Sequence, residues 1–507
     1  MKKGSAMSDR AKQKQIVRLI VKDVREYSRR LRKKKALRPY QVEPALCIID
    51  SIENRKSKII TVMISRQGGK NETSAQIEGY LMTRYKKRGG TIVKAAPTWK
   101  PQIVNSMMRL KEVLDNPLTK GLHKGQFGFM RRLGNCLTAF FSAQPTAEVV
   151  GATANILLEI DEAQDVEQQK YDKDFAPMGA DQAVTTVFWG TAWDTDNMLE
   201  RQRQTNKAKD EALARERGCR VEDLPPEDRH NFEYNAHEVA KHNPNYKAYF
   251  QREVERLGED HPIILTQYLL QAIAAAGKFF SPQQLAKLQG EHKRYHRREP
   301  GKRYVASIDI AGKDEEAQDA VLRGVKPQKD STVLKIGELD FSVCDKIRTD
   351  PRIKIVEITY RTGHDFEDQK LELLSDLELW RPEIVISDAR GIGADISSFL
   401  AKKFKQGKFV EYQSTEESNS EDAYDILAKV NTGLLQMFAD DGSEESREFW
   451  NEAKLCRYEI KSNKRMKYFV KETEGHDDFV KALGYLVRAA KMVKPKAVAT
   501  TARRGMR

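Results

Sequence analysis

Residues 58–85 run an apolar, strand-like stretch, KIITVMI, directly into a glycine-containing loop, Ser65-Arg66-Gln67-Gly68-Gly69-Lys70-Asn71, and then into the helix-forming residues ETSAQIEGYLMTRY. A strand that ends in a tight loop and re-enters as a helix is the first half of a crossover unit. Such units build parallel sheets with helices on their faces. The loop also has an electrostatic consequence. Its backbone N–H groups and the positive end of the helix converge where an anion fits, and a lysine at the helix start reaches the outer oxygens of a polyphosphate. Against the usual Walker A spacing, Ile64 stands where a glycine is common, and Asn71 where Ser or Thr normally follows the lysine.

The rhythm continues to residue 190, with GTIVKAA, NILLEI and TTVFWG alternating with helix-compatible stretches, which predicts a parallel sheet flanked by helices. The run Ile156-Leu157-Leu158-Glu159-Ile160-Asp161-Glu162 is an apolar strand ending in two acids. Asp161 is placed there to hold Mg²⁺, directly or through water, and Glu162 to orient and activate an attacking water. A strand end with two solvated acids is common by itself. Following a phosphate loop in one α/β segment, it predicts ATP hydrolysis. Phe188-Trp189-Gly190-Thr191-Ala192 ends another strand in a small-residue turn, where Thr191 can sense the γ-phosphate. Upstream, Leu37-Arg38-Pro39-Tyr40-Gln41 offers Tyr40 and Gln41 as a stacking ring and an amide suited to adenine.

Composition changes along the chain divide it. Residues 1–36 are a basic N-terminal segment and 37–196 the predicted P-loop core. Residues 197–276, polar and helix-forming with a break at Leu224-Pro225-Pro226, predict a small helical lid. Residues 277–303, with Ser281-Pro282 and Pro300-Gly301, read as a linker. Strand signals resume at Tyr304 (YVASIDIA, STVLKIGEL, IKIVEITY, EIVISD), crowded enough for a mixed sheet with hairpins over 304–492, before a basic tail at 493–507. The charged segment Lys313 to Lys329 is longer than a tight hairpin needs and reads as a passive loop or a DNA-contacting insertion.

The second half carries acids at three telling places. Asp309 ends the strand YVASID, Asp388 ends IVISD, and Gly475-His476-Asp477-Asp478 opens the last long helix. Two-metal phosphodiester cleavage needs carboxylates converging from separate elements on two cations about 3.5–4 Å apart. Any one of these acids alone is a cap or loop carboxylate. Two strand tips and a helix start together match a ribonuclease-H-like layout. Helical periodicity then separates the adjacent pair. Phe479, Ala482, Leu483, Leu486 and Ala490 form a core-facing stripe, and Asp478 lies at its edge while Asp477 falls with Lys481 and Arg488. Asp478 is therefore the expected metal ligand, with Asp477 capping the helix or supporting the ligands from behind. All-carboxylate ligation suits Mg²⁺, with Mn²⁺ an alternative.

The chain's 507 residues exceed what one core organises and suit two or three domains. A net charge of +14 points to a polyanionic partner, most simply nucleic acid. The clusters Arg25 to Arg38, Arg131-Arg132, His292 to Arg298 and Arg503-Arg504 each read singly as a solvated face. Together they tilt the balance towards nucleic acid, because phosphate binding is additive over many weak contacts. No run of eighteen apolar residues predicts a membrane span. The five scattered cysteines never form a CxxC, which argues against a disulfide framework or zinc site and for a reducing cytosol.

Taken together, SRQGGKN, LLEIDEA, WGTA, the upstream PYQ, SIDIAG, SDARGIG and GHDDFVKAL resemble, in this order, the motifs of the bacteriophage terminase large subunits. The resemblance covers roughly residues 37–490. It implies an α/β protein with an N-terminal RecA/ASCE-like P-loop ATPase, a small helical lid and a C-terminal ribonuclease-H-like nuclease. It implies a motor that drives double-stranded DNA into a procapsid and cuts it. The implied partners are the portal protein, the terminase small subunit and copies of the same chain in a ring, usually pentameric, within the host cytoplasm. In that family the Walker A loop commonly carries an arginine, here Arg66, and an arginine from a neighbouring subunit completes the site, for which Arg131 and Arg132 are candidates. Two other readings stand beside it. A repair or restriction helicase-nuclease shares both chemistries but needs a second RecA-like lobe, and no motif set for one lies between Trp193 and Gly301. A non-catalytic nucleic-acid-binding protein would leave both acid constellations without a role.

Overall fold

The computed structural model describes residues 9–149, 151–180, 182, 184–310, 331–345, 349–362, 364–391, 393–461, 464–471 and 473–495. The charged segment Lys313 to Lys329 lies outside them, as does most of the basic tail. The chain divides into two compact units, one of Met1–Gln251 and Ile263–Ala274, the other of Arg252–Pro262 and Ala275–Arg507. No helix among the described residues is long and apolar enough to cross a membrane.

The first unit is built on an eight-stranded sheet. Its strands are β1 (Ile59–Ile64), β2 (Gly90–Ala96), β3 (His123–Gln126), β4 (Met130–Leu133), β5 (Cys136–Ser142), β6 (Leu157–Ile160), β7 (Thr185–Gly190) and β8 (Asn231–Tyr234). They lie in the order β3-β4-β5-β2-β6-β7-β1-β8, parallel from β5 to β8, with an antiparallel edge at β3 and β4. β1, β6 and β7 are buried almost throughout, as strands covered on both faces must be. This is the expected RecA/ASCE-like P-loop sheet. One expectation needs correcting. Residues 197–276 are not wholly helical, because Asn231–Tyr234 extends the sheet beyond β1, with Thr61 beside Asn231 and Ile64 beside Tyr234. A four-residue strand flanked by polar helices has too little periodicity to announce itself.

The second unit holds a six-stranded mixed sheet and a small three-stranded one. The strands are β9 (Ala276–Lys278), β10 (Tyr304–Asp309), β11 (Ser331–Asp340), β12 (Arg352–Thr362), β13 (Ile384–Asp388), β14 (Lys408–Tyr412), β15 (Leu435–Gln436), β16 (Arg457–Ile460) and β17 (Met466–Phe469). The large sheet runs β14-β13-β10-β11-β12-β15. β10, β11 and β12 form an antiparallel meander, while β13 and β14 lie parallel to β10 on its other side, which is the expected ribonuclease-H-like sheet. Side chains alternate between its faces. Tyr304, Ala306 and Ile308 pack with Leu373 and Leu377 on one side. Val305 packs on the other with Leu483 and Leu486 of the last helix, Asp478–Lys491. The same alternation puts Asp309 on the last helix's side of the sheet.

Residues 277–303, read as a linker, are folded into this unit. Ala276–Lys278 pairs with β16, the helix Pro282–Leu288 is capped by Ser281, and Phe279, Phe280 and Leu288 are buried in the core. The Pro and Gly that suggested a linker mark a capped helix start and a turn.

Candidate active sites

In the first unit, sheet order assembles the site. β7 lies between β1 and β6, so the loop after β1 faces the tips of both neighbours. Gly69 takes φ 100°, a left-handed conformation that favours glycine, and hands the chain to the helix Lys70–Tyr85. A Cβ on Gly68 would stand 2.7 Å from Ser65 O and from Ile64 Cγ2, so the loop closes only without a side chain there. Lys70 Nζ lies 2.6 Å from Glu162 Oε1 and 3.5 Å from Asp161 Oδ1. Burial opposes the charge on Lys70, but Glu162 and then Asp161 outweigh it and hold the ammonium above its ordinary value. Glu162 itself sits at φ 49°, a left-handed position that an L-residue adopts only at a cost.

Residues that the sequence did not single out complete the frame. Gln164 Nε2 donates to Glu162 Oε2 at 2.7 Å, and its Oε1 accepts from Thr191 N at 3.3 Å. Thr191 Oγ1 donates to Gln267 Oε1 at 3.3 Å, and the Gln267 carbonyl accepts from Arg66 N at 2.8 Å. Thr191 is thus tied both to Glu162, through Gln164, and to the loop at Arg66, through Gln267. Gln164, two residues after Glu162, had a local signal; Gln267, some two hundred residues after the loop, had none. Arg66 and Gln67 are exposed, Ser65 is buried, and Asn71 is half-buried in the first helical turn.

Tyr40 and Gln41 are placed differently from the adenine contacts expected of them. Tyr40 is 3% exposed, its ring packs against Tyr234 and His242, and its hydroxyl donates to Gly68 O at 2.7 Å. Gln41 Nε2 donates to Gly69 O at 3.1 Å and to Thr73 Oγ1 at 2.8 Å. Both brace the loop from behind, and the Tyr40 ring is buried against Tyr234 and His242. Arg131 and Arg132 lie on the β3–β4 hairpin. Arg131 Nη1 is 3.0 Å from His123 Nδ1, and Arg132 donates to Gln126.

Beneath the site lies a buried polar cluster. Lys94 on β2 is 3.0 Å from Glu78 of the loop's helix, and Ser74 and Trp189 both donate to Glu159 Oε1 on β6. Burial pushes the Glu159 carboxyl well above the usual range against the pull of Lys94.

In the second unit, Asp309 and Asp388 end the adjacent parallel strands β10 and β13, and Asp477 and Asp478 open the last helix. Burial, followed by Asp478, Asp388 and Asp477 in that order, drives the Asp309 carboxyl well above its usual range. Four carboxylates therefore bear on one another. Among the described residues, Arg390 lies 3.1 Å from Asp388 and Lys481 lies 3.9 Å from Asp477. Asp478 Oδ2 accepts from Ser331 N of β11 at 2.8 Å. Such a set of hard oxygen donors with an excess of negative charge fits a divalent cation such as Mg²⁺ or Mn²⁺. As placed, no three such groups among the described residues stand close enough to share one ion.

Asp477 is the residue before the helix, yet its side chain makes no capping bond. The expected cap comes instead from a residue with no local signal for the role. Glu452, on the helix Glu444–Leu455, accepts from Phe479 N at 2.8 Å and Val480 N at 3.2 Å. Burial and then Asp478 push its carboxyl up to about 9.

Both constellations can now be set beside solved proteins. The structure matches phage large terminases along about nine-tenths of its chain. The large terminase of a thermophilic bacteriophage is 13% identical, covering 90% of this chain and 99% of that one with a TM-score of 0.49. The HK97 bacteriophage large terminase is 12% identical over 89% of this chain and 95% of that one, with a TM-score of 0.36. The large terminase nuclease of the thermophilic phage G20c, with bound magnesium, is 17% identical over 42% of this chain and 96% of that one, at a TM-score of 0.31. No family model and no curated protein matches the sequence. At these identities and scores, the fold classes above rest on the strand orders themselves.

Proposed function

We propose that the chain is the large subunit of a viral DNA-packaging terminase, hydrolysing ATP to drive double-stranded DNA into a procapsid and cutting that DNA by metal-dependent phosphodiester hydrolysis. The observation that carries the reading is the presence in one chain of two acid constellations on two sheets of different topology, Lys70 with Asp161 and Glu162 on one, Asp309, Asp388 and Asp478 on the other.

On the first sheet, Lys70 would exchange Glu162 for the phosphates of ATP, and Asp161 would hold the accompanying Mg²⁺. The released Glu162 then accepts the proton of the attacking water. Gln164 keeps its carboxylate aimed and couples that aim to Thr191. On the second sheet, Asp309, Asp388 and Asp478 would hold Mg²⁺ or Mn²⁺, with Asp477 beside them. Bound there, that metal would polarise the phosphodiester and activate the attacking water. Arg390 donates to the Asp388 carboxylate, where it would compete with a cation. The portal protein, the small subunit and a ring of like chains are the partners this reading implies.

The test is DNA translocation with purified procapsids. The expected result is ATP-dependent protection of DNA from added nuclease that requires the portal. ATP-driven DNA movement equally fast without procapsids would overturn the packaging reading in favour of a helicase-nuclease. No DNA effect on ATP hydrolysis, together with no cutting, would overturn both.

A further inference from the structure

We infer that Glu452 is a positioning residue of the nuclease site, fixing the start of the last helix and thereby the aim of Asp478. This rests on the nuclease reading above. A helix N-terminus leaves its first N–H groups without partners inside the helix, and a side chain just before the helix usually supplies one acceptor. Here the local candidate, Asp477, does not. A carboxylate from another helix does so, with one oxygen, Oε2, accepting from both Phe479 N and Val480 N, the two residues that follow Asp478. The Asp478 carboxylate is held separately, by Ser331 N. The main chain just after Asp478 and the Asp478 side chain are therefore held from two different elements, the helix Glu444–Leu455 and β11.

The choice of residue is informative. Glu452 is 8% exposed and lines a cavity of about 530 Å³ shared with Asp478, His476, Ser331 and Tyr360. Burying a carboxyl beside a carboxylate cluster is costly, and a serine before the helix would satisfy an N–H without that cost. What the long remote side chain adds is reach across to the helix, with one oxygen that accepts from two successive N–H groups. Behind it, the Lys335 ammonium of β11 is fully buried over the rings of Phe449 and Phe479, at 4.4 and 5.2 Å from their centroids. Lys335 thus packs against Phe479, the residue next to Asp478. With Oε2 bonded to two amides, Glu452 acts through the helix and not on the metal.

Reach and the ability to ionise can be separated in the full-length protein. Glu452→Gln keeps the reach and cannot ionise; Glu452→Asp keeps the carboxyl and falls one carbon short. Two quantities are measured: amide hydrogen exchange of residues 477–482 without metal, and the Mn²⁺ dependence of plasmid nicking, with Asp388→Asn as the inactive reference. Glu452→Asp should speed exchange in that segment and raise the half-saturating Mn²⁺ about tenfold, the usual scale for residues that orient ligands. Its rate at saturating Mn²⁺ should recover. Glu452→Gln should rescue both quantities to within about threefold of wild type, since one amide oxygen still accepts both N–H groups. Wild-type exchange and Mn²⁺ dependence in Glu452→Asp would overturn the inference. So would a Glu452→Gln as inactive as Asp388→Asn at every Mn²⁺ concentration, which would make Glu452 a ligand. Absence of nicking by the wild-type protein would instead remove the nuclease reading, while the exchange of residues 477–482 would still decide the cap.

Discussion

Lys70 Nζ and Glu162 Oε1 stand 2.6 Å apart, a buried ion pair between the phosphate loop and the tip of β6. On the proposed reading, the residue that would bind the transferred phosphate and the one that would activate water neutralise each other until nucleotide arrives. Lys70→Ala and Glu162→Gln should each abolish ATP turnover, with a loss of at least about a hundredfold for Glu162→Gln. Glu162→Gln should still bind nucleotide, because the amide keeps its shape and its contact with Gln164. Phosphate release and fluorescent-nucleotide binding check the pair. Near-normal hydrolysis by Glu162→Gln would remove it from this role.

Among the carboxylates that act on Asp309, Asp478 has the largest effect and Asp477 the smallest. Asp478→Asn should cut nuclease activity by orders of magnitude, as Asp309→Asn should, because each removes an anionic ligand from a site built on charge. Asp477→Asn should lose far less, since it caps nothing here and lies toward Lys481. ATP hydrolysis, unchanged in all three, controls for misfolding. An inactive Asp477→Asn beside an active Asp478→Asn would reverse the assignment.

Where the nuclease is cut from the chain should matter. A fragment beginning at Ala275 keeps β9 on β16 and the buried Phe279, Phe280 and Leu288. One beginning near residue 295 loses all of them, and each buried side chain of this size is worth roughly 1.5–3 kcal/mol. The longer fragment should melt cooperatively and nick DNA with Mg²⁺ or Mn²⁺ in the absence of ATP. The shorter one should melt earlier or aggregate. Equal melting temperatures would show that the segment 275–294 contributes little.

Burial pushes the Lys335 ammonium down to about 7, opposed by Glu452. The unfolded chain, with an ordinary lysine near 10.4, then binds a proton that the folded chain lacks between about pH 7 and 10. Stability from this group accordingly rises with pH across that window, and the penalty is fullest at and below pH 7. Lys335→Met should remove the slope and raise the melting temperature at pH 7 by about 2–4 °C. Comparing the two profiles isolates Lys335 from Glu452, whose raised carboxyl tilts stability the other way between its unfolded value and about 9. An unchanged slope in Lys335→Met would show that this lysine stays charged in the fold.

The sequence by itself determined the parts of the protein that neighbouring residues encode. An apolar run entering Gly68, Gly69 and Lys70 specifies strand, loop and helix. Asp309 and Asp388 end their strands as the alternation requires, and the stripe from Phe479 to Ala490 oriented the last helix. Only the tertiary structure decided which of these ends meet and what holds them. The placing of β7 between β1 and β6 brings Lys70 to Glu162 across 92 positions of chain. Glu452 caps a helix that starts 26 residues later, Gln267 closes the ring behind Thr191, and Tyr40 turns its hydroxyl to Gly68 where its ring had suggested a base. Asn231–Tyr234 becomes a strand, and 277–303 joins a core, because partners elsewhere offer an open sheet edge or an apolar surface. Periodicity is a property of a segment and survives in the sequence. A hydrogen bond between distant side chains depends on strand order and crossover length, and it leaves no local trace.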